Sequence, residues 1–414
     1  MKEITSKEQL LHQAENDEKI VIVQHKRVAR VLTRYLQREE YGEKIQEILT
    51  LLPLMQKKKI LGISCVDRSM TQVIEDAVYY VVKLPKDLHM EAVEILREFG
   101  VEQICLIDYE VFAAISQEEN PKLDFLCCGF TKCGTTSLSN ALRKHPQIVL
   151  PKGKETFYLH WRNKYDDSPE IFRKKYMSER QEGKLYGDIE PSYHLSARDV
   201  YECFGPDVKL LFLVRQPSKA TYSYFKMLMR RPRKKKYVDY YRQYKKYSVD
   251  IFSRFVEEEI YTEMKDRYRY DKWIREYLEF FPAEQIKVVV MEELIDNPTE
   301  VLQEIQEFIG VTQFKHYEKL PYSNEGSGVS RGWISAYINY RYYASIRGKK
   351  EHLERSRKQK LFFHFAKWAQ KYTVLENEEK MTEEQKRELD DFYRPSVEHL
   401  EALLGRSLKK TWEM

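Results

Sequence analysis

Residues 1–120 alternate short apolar runs with segments of helical periodicity. Lys19–Val23 (KIVIV) is a continuous apolar run of strand length. In Val28–Arg38, Val28, Val31, Leu32 and Leu36 recur on one face of a helix. Ile60–Cys65 (ILGISC) and Ala77–Val82 (AVYYVV) predict a second and a third strand. Asp87–Phe99 predicts an amphipathic helix that ends at Gly100, a residue suited to closing a helix. Gln103–Ile107 (QICLI) predicts a fourth strand. Strands alternating with helices imply a parallel sheet, here of Rossmann-like type. A dinucleotide site would need glycines directly after the first strand, and that turn is Gln24, His25, Lys26, Arg27. A scaffold or substrate-positioning role therefore fits this domain better than nucleotide binding.

Ser116–Lys122 (SQEENPK) is polar, contains proline and reads as a linker. The division expected is a smaller Rossmann-like domain over 1–120 and a second α/β domain over 121–414. In the second domain Leu123–Cys128 (LDFLCC) predicts a buried strand, Gly129–Thr136 (GFTKCGTT) a loop, and Ser137–Lys144 a helix. A glycine-bearing loop between strand and helix aims backbone N–H groups and the helix dipole at an anion. Lys132 adds a positive charge, and Thr135, Thr136 and Ser137 add hydroxyl donors. The pattern is not a Walker A loop, because the lysine precedes the second glycine and no Ser or Thr follows it directly. A phosphate-like group handled without a metal fits it; the alternative is a plain glycine turn with a surface lysine. Further on, Leu210–Val214 is an apolar strand with Arg215 at its C-terminal end, Pro217 opens a helix, and Ser223 lies two turns in. Arginine with a serine donor suits a second phosphate.

Length, composition and charge add to the picture. A length of 414 residues exceeds one ordinary core and supports two domains. The balance of 70 Lys+Arg against 65 Asp+Glu excludes a polycation, yet Lys226–Asp250 concentrates basic residues among tyrosines. Such a stretch could track a polyanion or stack sugar rings, or be a solvated surface. No run reaches the roughly 18 apolar residues of a membrane span, and the polar, acidic N-terminus does not resemble a signal peptide. Six cysteines without metal-ligand spacing fit reduced thiols in a cytoplasmic protein. Leu361, Phe365 and Trp368 recur at helical spacing in a basic region, expected to pack on a core, with peripheral membrane contact as the alternative.

With both anion motifs in view, the chain resembles PAPS-dependent sulfotransferases over about residues 122–414, PAPS being 3′-phosphoadenosine 5′-phosphosulfate. GFTKCGTTSL resembles that family's 5′-phosphosulfate loop, and RQPSKATYSYF its 3′-phosphate motif. Tyr270–Pro298 resembles a family helix, strand and Glu-x-Leu segment, and Phe308–Gly310 the Phe-Leu-Gly after it. Leu389–Leu408 is similar to the C-terminal helix of carbohydrate sulfotransferases, including bacterial ones. The N-terminal segment is loosely similar to degenerate Rossmann-type modules of bacterial polysaccharide-synthesis enzymes.

The resemblance implies a P-loop-like three-layer parallel-sheet domain that transfers a sulfuryl group from PAPS to a hydroxyl, without a metal. It implies cofactor contacts at Lys132, Cys133, Gly134, Thr135, Thr136, Ser137, Arg215 and Ser223, with Arg331 and Gly332 in a closing loop. Lys154-Glu155 is similar to the Lys-Glu-x-x-Phe stretch of heparan-sulfate-type enzymes, which makes Glu155 the general base beside Lys132. Histidine serves that role in steroid- and phenol-type relatives, so His145, His160 and His194 are the alternatives. Asp188–Tyr193 (DIEPSY) resembles a Glu-Lys-[Ser/Thr]-Pro-x-Tyr segment, with Ile189 replacing the lysine; Lys154, Asp188 and Tyr193 are implied near the acceptor. Ala220 departs from a basic residue common in relatives. The expected partner is a carbohydrate acceptor, possibly an acidic one, and not nucleic acid. The competing readings are transfer to a small hydroxylated molecule or lipid, an ATP-dependent kinase, and a polyanion-binding protein with a degenerate nucleotide site.

Overall fold

A computed structural model of the chain describes residues 1–24, 26–51, 58–69, 72–84, 87, 89–119, 122–151, 155–156, 158–159, 180–232, 234–244, 249–313, 329–330, 332–346, 361–362, 364–365, 368, 374–375 and 380–413. The chain divides into two compact units: residues 1–123 with 165–175 and 198–208, and residues 124–164 with 176–197 and 209–414.

The first unit is built on strands β1 (Lys2–Ile4), β2 (Lys19–Val23), β3 (Ile45–Thr50), β4 (Lys58–Ile60), β5 (Ile63–Asp67), β6 (Ala77–Val82) and β7 (Ile104–Ile107). They lie in the order β1-β7-β6-β2-β3-β5-β4. The neighbours pair in parallel, except that β4 and β5 are antiparallel. The run ILGISC is thus a hairpin and not the single strand expected. Leu61 (φ 50°) and Gly62 (φ 87°) both take left-handed backbone, the geometry of a two-residue hairpin turn. The continuous apolar run of β2 follows from burial on both faces. Ile20 and Ile22 join one core with Leu32, Leu36 and Phe112, while Val21 and Val23 join another with Val93 and Leu96. The expected linker begins inside a helix, because Tyr109–Glu119 is helical and Ser116 is buried.

The second unit contains β8 (Phe125–Gly129), β9 (Ile148–Val149), β10 (Leu185–Ile189), β11 (Lys209–Val214) and β12 (Ile286–Val290). Their order is β12-β11-β8-β10-β9, and neighbours pair in parallel. From β8 the chain builds β9 and β10 on one side and then β11 and β12 on the other. The order therefore reverses at β8, and the carboxyl edge at such a reversal is where open α/β sheets bind ligands. The C-terminal helix Glu383–Leu404 opens with Thr382 and Gln385 capping one another and closes at Gly405, φ 64°. Its buried Leu389, Tyr393, Val397 and Leu400 recur every three or four residues on one face. Among the described residues no helix is long and apolar enough to cross a membrane.

Candidate active site

β8 and β11 run side by side in parallel, pairing Lys209 with Phe125 and Phe212 with Gly129. The loops that leave them emerge at the same edge. The β8 loop turns through Lys132 (φ 72°) and Gly134 (φ 89°) into the helix Thr135–Leu142. A left-handed lysine costs roughly 1–2 kcal/mol, so the surroundings must fix it. The Lys132 carbonyl accepts from Arg215 Nη1 at 3.4 Å, and the Thr131 carbonyl accepts from the Tyr268 hydroxyl at 3.2 Å. The Tyr270 hydroxyl donates to the Arg215 carbonyl at 2.8 Å and lies 3.4 Å from Cys133 Sγ. Burial pushes the Cys133 thiol up to about 12, so it stays protonated. Two motifs some eighty residues apart are thereby locked into one structure.

Ser223 is half-buried on the helix Pro217–Arg230, whose proline occupies the first turn. Lys226 lies one turn beyond Ser223. Burial, and then the charge of Arg215, lower its proton affinity. Lys226 is thus a second cation near Arg215 on the helix where Ala220 contributes none; its (i, i+3) spacing from Ser223 was the available signal. Gly332 precedes the helix Trp333–Ile346. That segment is tied to the end of the Ser223 helix by Ser330 Oγ to the Met229 carbonyl (3.0 Å) and Asn339 Nδ2 to the Arg230 carbonyl (3.3 Å). Arg331, Lys154 and His160 lie outside the described residues.

Glu155 also has left-handed backbone, φ 64°. The next residue, Thr156, is buried and donates its hydroxyl to Asp188 Oδ2. Asp188 and Tyr193, expected at the acceptor, are each only 1% exposed, and both bond to the loop that carries Glu155. Asp188 and Glu190 alternate along the strand end beside β8, and both are buried. Burial is the main cause that pushes Asp188 up to about 6; Glu155 raises it further. Burial, with Asp188 and then Glu155 adding to it, pushes Glu190 up to about 8. Glu190 fills the Ser/Thr position of the segment compared above, and the sequence reading passed over it.

Two of the three candidate histidines bond to backbone carbonyls. His145 accepts from the Gln147 amide through Nδ1 (3.1 Å), leaving Nε2 to donate to the Thr312 carbonyl (2.8 Å). Burial holds His194 down at about 3, with Nδ1 2.7 Å from the Pro191 carbonyl and the ring packed between Phe130 and Trp273. Both ring nitrogens of His145 are thus engaged, and the His194 ring is buried. Among the described residues no group of His, Cys, Asp or Glu is arranged to hold a metal ion.

The basic aromatic stretch differs from expectation. Tyr237, Tyr240 and Tyr241 are buried on the helix Lys235–Tyr244 and offer no faces to a sugar. Tyr240 donates to Glu258 (2.6 Å), Lys234 pairs with Glu263 (2.7 Å), and Lys236 pairs with Glu259. Arg233 and 245–248 lie outside the described residues. Leu361, Phe365 and Trp368 are 78%, 47% and 59% exposed, so the core packing expected of them does not occur.

The sulfotransferase-domain family model matches residues 122–403. Human heparan sulfate glucosamine 3-O-sulfotransferase 5 is 28% identical over 193 residues, 44% of this chain and 52% of that protein. The mouse protein is 27% identical over the same shares. The chain thus spans about half the length of these curated relatives. A sulfotransferase structure from Alicyclobacillus acidocaldarius aligns with TM-score 0.45 at 20% identity, covering 71% of this chain and 100% of that one. A mouse sulfotransferase complexed with PAP aligns with TM-score 0.34 at 13% identity, covering 67% of this chain and 85% of that one.

Proposed function

This chain belongs to the sulfotransferase family, and on that premise we propose that it moves a sulfuryl group from PAPS to a hydroxyl of a carbohydrate acceptor, with Glu155 as general base. The observation that carries the reading is the Arg215–Lys132 bond, which joins two anion-binding motifs at the carboxyl edge of β8 and β11. A nucleotide with phosphate at both ends suits that pairing. The 5′-phosphosulfate goes to the loop of Lys132, Cys133 and Gly134 and to the helix start at Thr135, Thr136 and Ser137. The 3′-phosphate goes to Arg215, Ser223 and Lys226, with Arg331 and Gly332 in the closing loop.

In the reaction the acceptor oxygen forms a bond to sulfur as the bond from sulfur to the phosphate oxygen breaks. The acceptor proton passes to Glu155. The 3′-phosphoadenosine 5′-phosphate (PAP) leaves with its new negative charge against Lys132. Such transfer is mainly positioning and electrostatics. The names of the curated relatives support a glycan acceptor, with Lys154 beside it. Residues 1–120 serve as a Rossmann-like scaffold that orients the acceptor. Six buried cysteines suit a cytoplasmic setting.

The test is a thermal-shift comparison of PAP with ATP and NAD. Selective stabilisation by PAP is expected, about 2.7 kcal/mol when ligand is a hundredfold above Kd. No shift with PAP, or a larger one with ATP, overturns the reading. Glu155→Gln should lower turnover roughly 10²–10⁴-fold without weakening PAP.

A further inference from the structure

We propose that Thr156, Asp188 and Tyr193 form a buried clamp that fixes the backbone of Glu155, so that all three are positioning residues for the transfer. The proposal rests on Glu155 being the base. Glu155 is one of few non-glycine residues with left-handed backbone, a conformation that persists only where neighbours impose it. Those neighbours are Asp188 and Tyr193. The Thr156 hydroxyl donates to Asp188 Oδ2 and lies 3.4 Å from the Tyr193 hydroxyl oxygen. That same tyrosine oxygen accepts from the Leu159 amide at 3.3 Å. The loop is therefore held immediately after Glu155 and again at Leu159, by groups rooted in the sheet edge and the turn after it.

The clamp is itself held. Asp188 Oδ1 accepts from the Ile189 amide at 2.8 Å, and the Tyr193 carbonyl accepts from the Tyr277 hydroxyl at 2.6 Å. Thr156, Asp188 and Tyr193 are 3%, 1% and 1% exposed, so water cannot compete for these bonds. Such burial leaves Asp188 and Tyr193 little surface with which to touch an acceptor. They reach the chemistry through Glu155 instead. A base displaced by about 1 Å from its acceptor proton can lose on the order of 10² in rate.

The test uses the full chain with Thr156→Val, Thr156→Ser and Tyr193→Phe, labelled PAPS as donor and desulfated heparin as probe acceptor. Hydrogen exchange at the Thr156 and Leu159 amides is measured alongside. Thr156→Val should lower kcat about 10²-fold with KM for PAPS changed less than about twofold, and Thr156→Ser should stay within about threefold of the parent. Adding Thr156→Val to Glu155→Gln should cost less than about a further twofold, because the clamp acts through Glu155. Exchange at Leu159 should quicken in Tyr193→Phe. Equal kcat for the Val and Ser variants, losses that multiply with Glu155→Gln, or unchanged exchange overturn the clamp. Should Thr156→Val not fold, Tyr193→Phe is held to the same readouts. Near-normal turnover in Glu155→Gln instead sinks the assignment of the base, and the exchange data then decide separately whether the loop is clamped.

Discussion

Glu190 makes the stability of the second unit depend on pH in a direction opposite to that of a paired surface acid. Burial, then Asp188 and Glu155, raise its carboxyl from 4.5 to about 8. Between those values the folded chain holds a proton that the unfolded chain has released. Unfolding then releases protons, so stability falls as pH rises through this window. The penalty is absent below about 4.5 and complete above about 8. At about 1.4 kcal/mol per tenfold change in proton affinity, its ceiling is about 5 kcal/mol. Glu190→Gln should remove it. The glutamine keeps an oxygen to accept from the Ser192 amide and hydroxyl, now at 3.2 and 2.7 Å. Parent and variant should match within about 1 kcal/mol at pH 5. At pH 9 the variant should be more stable by at least about 2 kcal/mol, or about 4–8 °C in Tm for a unit of this size. Urea or thermal unfolding across that range measures it. Parallel profiles for the two proteins would refute the assignment. At neutral pH a protonated Glu190 also leaves Glu155 with one anionic neighbour fewer.

Lys132→Ala should leave the fold intact and lower turnover about 10²–10³-fold, since it removes a preorganised charge facing the leaving group; parent-like turnover would count against that role. Arg215→Ala and Lys226→Ala should each shrink the thermal shift given by PAP, Arg215→Ala more strongly because it also frees the Lys132 carbonyl. An undiminished shift in either variant removes that residue from the 3′-phosphate site. Gly134→Ala should destabilise by about 1–2 kcal/mol, because φ is 89° and the new Cβ would stand 3.2 Å from Met291 Cγ; an unchanged urea midpoint contradicts this.

The strands that run apolar throughout were legible in sequence because burial on two faces leaves no polar position. KIVIV and AVYYVV are strands with the bounds their patterns predict. Lys2–Ile4 and Ile45–Thr50 were not foreseen, since one is three residues long and the other carries Gln46 and Glu47. The loop of Lys132 and the arginine after β11 were legible because glycine, lysine and hydroxyls between strand and helix have few other uses. Lys226 and Glu190 were not. Their character comes from burial and from neighbours brought close by the sheet; the spacing of Lys226 from Ser223 was a slight mark in the local sequence, and Glu190 had none.

The basic, tyrosine-rich stretch shows why composition misleads when partners are distant. Read alone, Lys234, Lys236 and the alternating tyrosines resemble a surface waiting for a polyanion. Tyr237, Tyr240 and Tyr241, however, stand at helical (i, i+3, i+4) spacing, which marks one face of a helix, and that face is buried. Glu258, Glu259 and Glu263 come from the turns that follow Phe255 and meet Tyr240, Lys234 and Lys236 there. Charges already paired within the fold have less to offer a ligand, because binding must first break those pairs. A cation that draws the acceptor to this enzyme is therefore to be sought where no carboxylate faces it. Arg242 is a weaker candidate on that ground, since it is stacked over Trp333 at 5.6 Å and lies 3.4 Å from Asp239.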